Sequence, residues 1–252
     1  MNLKIRNLFI MSKEKILAYI PARAGSKRIP NKNIKNFLGR PLIAYTIRQA
    51  RACDFVDRIM VDTDSAKIAA ISRKYGAEAP WLRPPDLAAD QANIRDALIY
   101  FLTKLENQEN YAPDYILILQ TTSPLRELKD IEACWRLIKK GGASTVLTVC
   151  PTHPRLYYLD NGQNIILANG RENQSTNIQA WRPAYILNGC FAYIVKTAAF
   201  LKEKNIITKK TKAVICDKWR SVDLDEPADW LTAELLCKNK KHLAKKIKLM
   251  TT

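Results

Sequence analysis

Between Pro21 and Asn33 the chain reads PARAGSKRIPNKN, which sets Gly25 and Ser26 in a tight turn among Arg23, Lys27, Arg28 and Lys32. Small residues let backbone N–H groups approach an anion, and flanking cations neutralise it, so the pattern suits a phosphate. The spacing is neither G-x-G-x-x-G nor G-x-x-x-x-G-K-[ST], so the dinucleotide fingerprint and the Walker-type loop both fail. Most charge runs are simply solvated faces. Four cations around a Gly-Ser turn, directly after an apolar run, favour the anion site over that reading. Histidine chemistry is set aside, because His153 and His242 are the only two histidines and neither stands beside a nucleophile motif.

A loop of this kind needs elements that hold it still. Ile16 to Ala22 reads as a buried strand that launches it. Pro41 to Cys53 follows as a helix with Pro41 in its first turn, then a strand at Arg58 to Asp62 and a helix from Ser65 to Tyr75 that stops at Gly76. A short third strand is expected over Ala77 to Leu82, a helix over Asn93 to Leu105, a strand over Tyr115 to Gln120, a helix over Leu128 to Lys139 and a strand over Thr145 to Cys150. This alternation predicts an α/β fold, Rossmann-like, with a mostly parallel sheet covered by helices on both faces.

After Pro151 the pattern changes. Leu156 to Leu167, broken by Asp160-Asn161-Gly162, reads as a hairpin, and a polar stretch from Asn169 to Gln179 precedes a strand over Tyr185 to Val195. Residues 152–185 are therefore expected to leave the main sheet as an insertion. Late strands are expected at Val214 to Cys216 and Ser221 to Leu224, and a closing helix at Ala228 to Cys237. In an open α/β sheet the ligand lies beyond the carboxyl ends of the strands. That directs attention to Arg23 to Asn33, Thr63-Asp64, Arg83 to Asp90, Gln120 to Arg126 and Asp223 to Asp225.

The basic loop resembles the A-R-x-G-S-K-x-I-P-x-K-N signature of the acylneuraminate cytidylyltransferases. Further motifs of that family follow in order. Gly39-Arg40-Pro41-Leu42-Ile43-Ala44-Tyr45 resembles its G-[KR]-P-L-I-x-[YW] run, and Asp62-Thr63-Asp64 stands where it has a short S-T-D run. Leu82-Arg83-Pro84 with Leu87-Ala88-x-Asp90 resembles its R-P-x-x-L-A-x-D loop, and Leu119-Gln120-Thr121-Thr122-Ser123-Pro124-Leu125-Arg126 its L-Q-P-T-S-P-L-R. Asn188-Gly189 and Asp223-Leu224-Asp225-Glu226-Pro227-x-Asp229 complete a resemblance that covers about residues 16–237. This chain departs from the pattern at Ala24 (often Gly) and Thr121 (often Pro). It also has Gln91-Ala92-Asn93 where Ser or Thr is usual, and Arg155-Leu156 where many members place a Lys.

The resemblance implies transfer of CMP from CTP to a nine-carbon 2-keto-3-deoxy acid sugar, with pyrophosphate released. It assigns Arg23, Gly25, Ser26, Lys27, Asn33, Arg83, Asp90 and Gln120 to the nucleotide, with Arg23, Lys27 and Lys32 stabilising charge on the phosphates. Gln120, Thr122, Ser123, Asn188 and, in place of the usual Lys, Arg155 go to the sugar. Asp223 and Asp225 become the Mg²⁺ pair and complete the catalytic set, since side chains two apart in an extended segment share a face. A helix cap is the commoner role for Asp-x-Asp before Pro; here Glu226 and Asp229 are available for it. N-Acylneuraminate and legionaminate are the expected sugars, with pseudaminate and 3-deoxy-manno-octulosonate as alternatives. The insertion resembles the family's dimerisation region, which implies a homodimer.

The chain has 252 residues, with 41 Lys plus Arg against 24 Asp plus Glu, a formal charge of +17. Such a balance invites a nucleic-acid partner, but the charge is uneven. Residues 1–15 carry +3 and residues 238–252 carry +6, leaving +8 on residues 16–237. The two basic termini are expected to be mobile, and the remaining cations cluster at strand ends, not along one face with interleaved aromatics. No nucleic-acid partner is expected. No apolar run approaches the roughly 20 residues that span a bilayer, so no membrane partner is expected either. The 6 cysteines form no C-x-x-C pair, which fits a reducing cytoplasm.

Overall fold

Ile16–Pro21 is buried along nearly its whole length and forms strand β1, the strand from which the basic loop departs. The computed structural model describes residues 14–168, 182–189 and 191–251. A two-stranded hairpin, β2 (Asn36–Phe37) with β3 (Arg40–Pro41), leads into helix α1 (Leu42–Arg51). Strand β4 (Arg58–Asp62), helix α2 (Ala66–Lys74), the single turn α3 (Pro85–Ala88) and helix α4 (Ile94–Glu109) follow. Then come β5 (Tyr115–Ile118), α5 (Leu128–Lys139) and β6 (Thr145–Thr152). A small hairpin, β7 (Tyr157–Leu159) with β8 (Ile165–Leu167), precedes β9 (Ala184–Leu187) and β10 (Tyr193–Lys196). The chain continues through α6 (Thr197–Glu203), β11 (Thr211–Ile215), α7 (Pro227–Lys238) and α8 (Lys240–Thr251).

The central sheet has 7 strands in the order β11-β6-β10-β5-β1-β4, with β9 added on β6. Strands β4, β1, β5, β6 and β11 run one way, while β9 and β10 run against them. The sheet is thus mostly parallel, as expected. Side chains alternate between its faces. Ile16, Ala18 and Ile20 pack with α1 and α5 residues on one side, and Leu17 and Tyr19 pack with α4 on the other. A third apolar cluster, Phe37, Leu42, Leu125, Leu224 and Trp230, lies under the loop.

Four expectations are corrected. Residues 77–82 form only isolated bridges, Glu78 with Met60 and Leu82 with Thr63, because Pro80 between them offers no N–H to a ladder. The strand expected over Tyr185 to Val195 is two strands, each antiparallel to β6, interrupted where Gly189 adopts φ +65°. No strand forms at Ser221 to Leu224; Leu224 is buried against Phe37 and Trp230, and its N–H reaches the Thr122 carbonyl at 2.9 Å. The basic C-terminal segment, expected to be mobile, is helical from Lys240, where an ion pair with Glu127 at 2.7 Å ties it down. It is built largely of Lys, Leu, Ala and Ile, with no Gly or Pro to break it. Residues 1–13 and the whole polar stretch from Asn169 to Gln179 lie outside the described residues.

Candidate active site

The loop after β1 takes its shape from two neighbours. The Ala24 N–H donates to Asp64 Oδ1 at 2.8 Å, and the Asn33 amide donates to the Arg23 carbonyl at 2.8 Å. Asn33 is itself held by the Thr121 hydroxyl, which donates to its Oδ1 at 2.5 Å. Thr121 stands where the resembling family often has Pro, and here its hydroxyl links the β5 loop to the basic loop. With both edges fixed, Arg23, Ser26, Lys27, Arg28 and Lys32 face a cleft of about 540 Å³ that Asn33, Arg83, Asp90, Gln120, Thr122 and Asp225 also line.

Charge in the cleft is paired before any ligand enters. Asp90 accepts from Arg23 at 2.9 Å and forms an ion pair with Lys27. The hydrogen bond from Lys27, seconded by that from Arg23, holds the Asp90 carboxyl below the usual carboxylate range. Lys32 donates to the Leu224 carbonyl at 2.6 Å and lies 3.4 Å from Asp225, while Arg28 is 4.0 Å from the same carboxylate. A polyphosphate entering here would exchange carboxylate partners for phosphate oxygens on these cations.

Asp225 lines the cleft, and Asp223 lies beside it, half-buried. The cap at the start of α7 is made by Glu226 and Asp229, whose side chains complete a capping box. Neither Asp223 nor Asp225 is used for it. Asp223 Oδ1 and the Ser123 hydroxyl are buried with no hydrogen-bond partner among the described residues. Burial, only partly offset by the Thr122 hydroxyl and seconded by the neighbouring Asp225 charge, pushes the Asp223 carboxyl above its ordinary range. Two carboxylates, one of them desolvated and with an oxygen left free, make a donor set that a hard divalent cation fits.

Gly189 closes this corner. A Cβ there would stand 2.8 Å from Asp223 Cγ and 3.0 Å from Ser123 Oγ. Asn188, just before it, is buried between two partners: its Oδ1 accepts from Thr148 at 2.9 Å and its amide donates to Ser221 at 3.1 Å. Gly25 lies in the loop with open space around its Cβ position. Arg155 lies on the segment that leaves β6 and does not line the cleft. Asn93, in the segment where the resembling family has a hydroxyl, caps α4 by accepting from Arg95 N–H at 2.9 Å.

Sequence reasoning missed the floor beside Arg83. Asp62, at the end of β4, accepts from Arg83 Nε at 2.9 Å and from the Tyr19 hydroxyl at 2.5 Å, with all three residues buried. The motifs placed Asp62 and Arg83 separately near the site, but nothing in the sequence joined them to each other or to Tyr19.

Residues 17–230 match the profile of the family described as cytidylyltransferase. Over 226 residues, 88% of this chain and 96% of the relative, the sequence is 35% identical to a CMP-N,N'-diacetyllegionaminic acid synthase of Legionella pneumophila. It is 30% identical to a pseudaminic acid cytidylyltransferase of Campylobacter jejuni over 227 residues, 89% of this chain and 97% of that one. The fold resembles a CMP:2-keto-3-deoxy-manno-octonic acid synthetase complexed with CTP, at a TM-score of 0.68 and 16% identity, covering 90% of this chain and 100% of that one.

Proposed function

Because this chain belongs to the cytidylyltransferase family, we propose that it transfers CMP from CTP to a nine-carbon 2-keto-3-deoxy acid sugar, a legionaminate or N-acylneuraminate, and releases pyrophosphate. The observation that carries the reading is the convergence of Arg23, Lys27, Lys32, Arg83, Gln120 and Asp225 on one cleft at the carboxyl ends of β1 and β5. The relative matched at 35% identity acts on a diacetyllegionaminate by its name, which favours that sugar class over pseudaminate.

In this mechanism the triphosphate replaces Asp90 and Asp225 as partner of the loop cations. Arg23, Lys27 and Lys32 neutralise the departing pyrophosphate, and fixed charges of this kind act without reorganising at the moment of reaction. Gln120, at the end of β5, orients substrate through its amide. The sugar hydroxyl on C2 attacks the α-phosphorus in line. Asp223 and Asp225 would hold Mg²⁺, which when bound stabilises charge on phosphate oxygens.

The exposed apolar side chains of β7, β8 and β9, Tyr158 and Leu159 among them at 67% and 68% exposure, favour a homodimer through the insertion. Free thiols at Cys53, Cys150, Cys216 and Cys237 favour a cytoplasmic site of action, and among the described residues no helix is long and apolar enough to cross a membrane. The test of the activity is pyrophosphate release from CTP and Mg²⁺ with a panel of acid sugars. Release is expected with legionaminate or N-acylneuraminate, and silence with every sugar from well-folded protein would end this reading.

A further inference from the structure

Arg83 is only 7% exposed, yet it lines the nucleotide cleft. Its guanidinium is held on two of its three nitrogens. Nε donates to Asp62 Oδ2 at 2.9 Å, and Nη2 reaches the same carboxylate at 2.7 Å, the Asp62 carbonyl at 3.2 Å and the Tyr19 hydroxyl at 3.4 Å. Among the described residues nothing hydrogen-bonds to Nη1. The backbone around it is equally fixed, since Arg83 N–H donates to the Thr63 carbonyl at 2.8 Å.

Tyr19 is fully buried in the face of β1 that packs on α4, in edge contact with Phe101 at 5.3 Å. Burial first, and then the Asp62 charge, push its phenol well above the ordinary range. It therefore remains a donor to Asp62 across the working pH.

We propose that Tyr19 and Asp62 are positioning residues, which clamp Arg83 in one orientation and leave Nη1 as the edge it presents to the nucleotide. A free arginine loses rotamer freedom on meeting a ligand, and a clamped one has lost it beforehand, so the contact is stronger. The clamp acts through Arg83 on CTP binding, not on the reacting phosphorus. Its loss raises KM for CTP and leaves kcat in place. This rests on the cytidylyltransferase reading for the identity of the nucleotide.

The experiment uses the full chain and two readouts, CTP affinity by calorimetry without sugar and steady-state kinetics with the sugar that releases pyrophosphate. Tyr19→Phe keeps the ring in its packing and removes one hydrogen bond to a charged group; CTP is expected to bind about tenfold more weakly, with kcat within twofold of wild type. Arg83→Lys, whose single ammonium cannot both sit in the clamp and present a separate Nη1 edge, is combined with it. The double variant should be no weaker than Arg83→Lys alone, because the phenol acts only through the guanidinium. Asp62→Asn, checked for folding by its melting curve, should weaken CTP binding at least as much as Tyr19→Phe. Wild-type affinity in both Tyr19→Phe and Asp62→Asn, or losses that simply multiply in the double variant, would overturn the clamp. Wild-type protein that binds CTP but acts on no sugar would overturn the proposed activity and leave the clamp standing on the calorimetry.

Discussion

Lys32 and Leu224 meet across the floor of the cleft, the ammonium donating to the backbone carbonyl at 2.6 Å although 192 residues separate them in sequence. The contact joins the loop after β1 to the stretch that carries Asp223 and Asp225, so the cations and the carboxylates keep one registration. Leu224 can take part because its side chain is buried beside Phe37 and Trp230, which fixes its backbone.

Removing Asp225 tests that registration. Its side chain is 57% exposed and its partners are Lys32 and Arg28; in Asp225→Ala the largely buried Lys32 keeps its hydrogen bond to the Leu224 carbonyl, so the melting temperature should change little. Pyrophosphate release should fall by a factor on the order of 100 or more, as expected for a charged group lost from a phosphoryl-transfer site. Near-normal turnover from the variant would remove Asp225 from the machinery.

Most of the parallel frame was legible because apolar, β-branched runs separated by helical periods have few other solutions: β1, β4, β5 and β6 lie where such runs stand. The failures have local physical causes. Val222 and Leu224 alternate like a strand, but the alternation serves packing on the Phe37 and Trp230 cluster and no ladder forms. The run from Tyr185 to Val195 looks continuous, and Gly189 divides it because its φ of +65° lies outside the strand region; Asp223 and Ser123 crowd the space a side chain there would need. In the site, the cations announced themselves by clustering in sequence. The Tyr19–Asp62–Arg83 contact did not, since it draws single residues from three segments: Arg83 and Asp62 stand in separate motifs, and Tyr19 looks like ordinary core.

Acid should loosen the C-terminal helix first. Burial alone would raise the Glu127 carboxyl, but hydrogen bonds from Lys129 and Lys240 and the charge of Arg220 outweigh it and draw its pKa down to about 2. A carboxylate depressed in the folded state stabilises the fold above its unfolded pKa, near 4.3, and that contribution is lost as pH falls toward 2. Melting temperature should therefore drop over that interval. In Glu127→Gln it should be lower than wild type at pH 7 and fall less steeply below pH 4; parallel curves for the two proteins would refute the assignment.

The hairpin surface carries a separate expectation. Tyr158 and Leu159 project from β7, and Ile165 and Ile166 from β8, all exposed. If a second copy covers them, Tyr158→Glu with Leu159→Glu places two charges in that interface, and sedimentation should shift from dimer to monomer at micromolar concentration. The central sheet does not depend on these residues, so the far-ultraviolet circular dichroism should be retained. A wild-type protein that already sediments as a monomer contradicts the assembly.

Gly189 and Gly25 should answer differently to the same substitution. At Gly189 the backbone φ is +65°, and a Cβ would press on Asp223 Cγ at 2.8 Å and Ser123 Oγ at 3.0 Å. Alanine there must displace Asp223 or strain the chain, at a cost of about 1–3 kcal/mol. Both stability and turnover should fall. At Gly25 nothing lies within 4 Å of the Cβ position and no left-handed φ is required, so Gly25→Ala should melt with the wild type. A methyl group on the loop would nonetheless stand where backbone N–H groups approach phosphate, so KM for CTP should rise while stability does not. Equal stability losses in the two variants would mean that Gly25 is present for folding, and a Gly189→Ala protein with full turnover would mean that Asp223 tolerates displacement and is not held in place for chemistry.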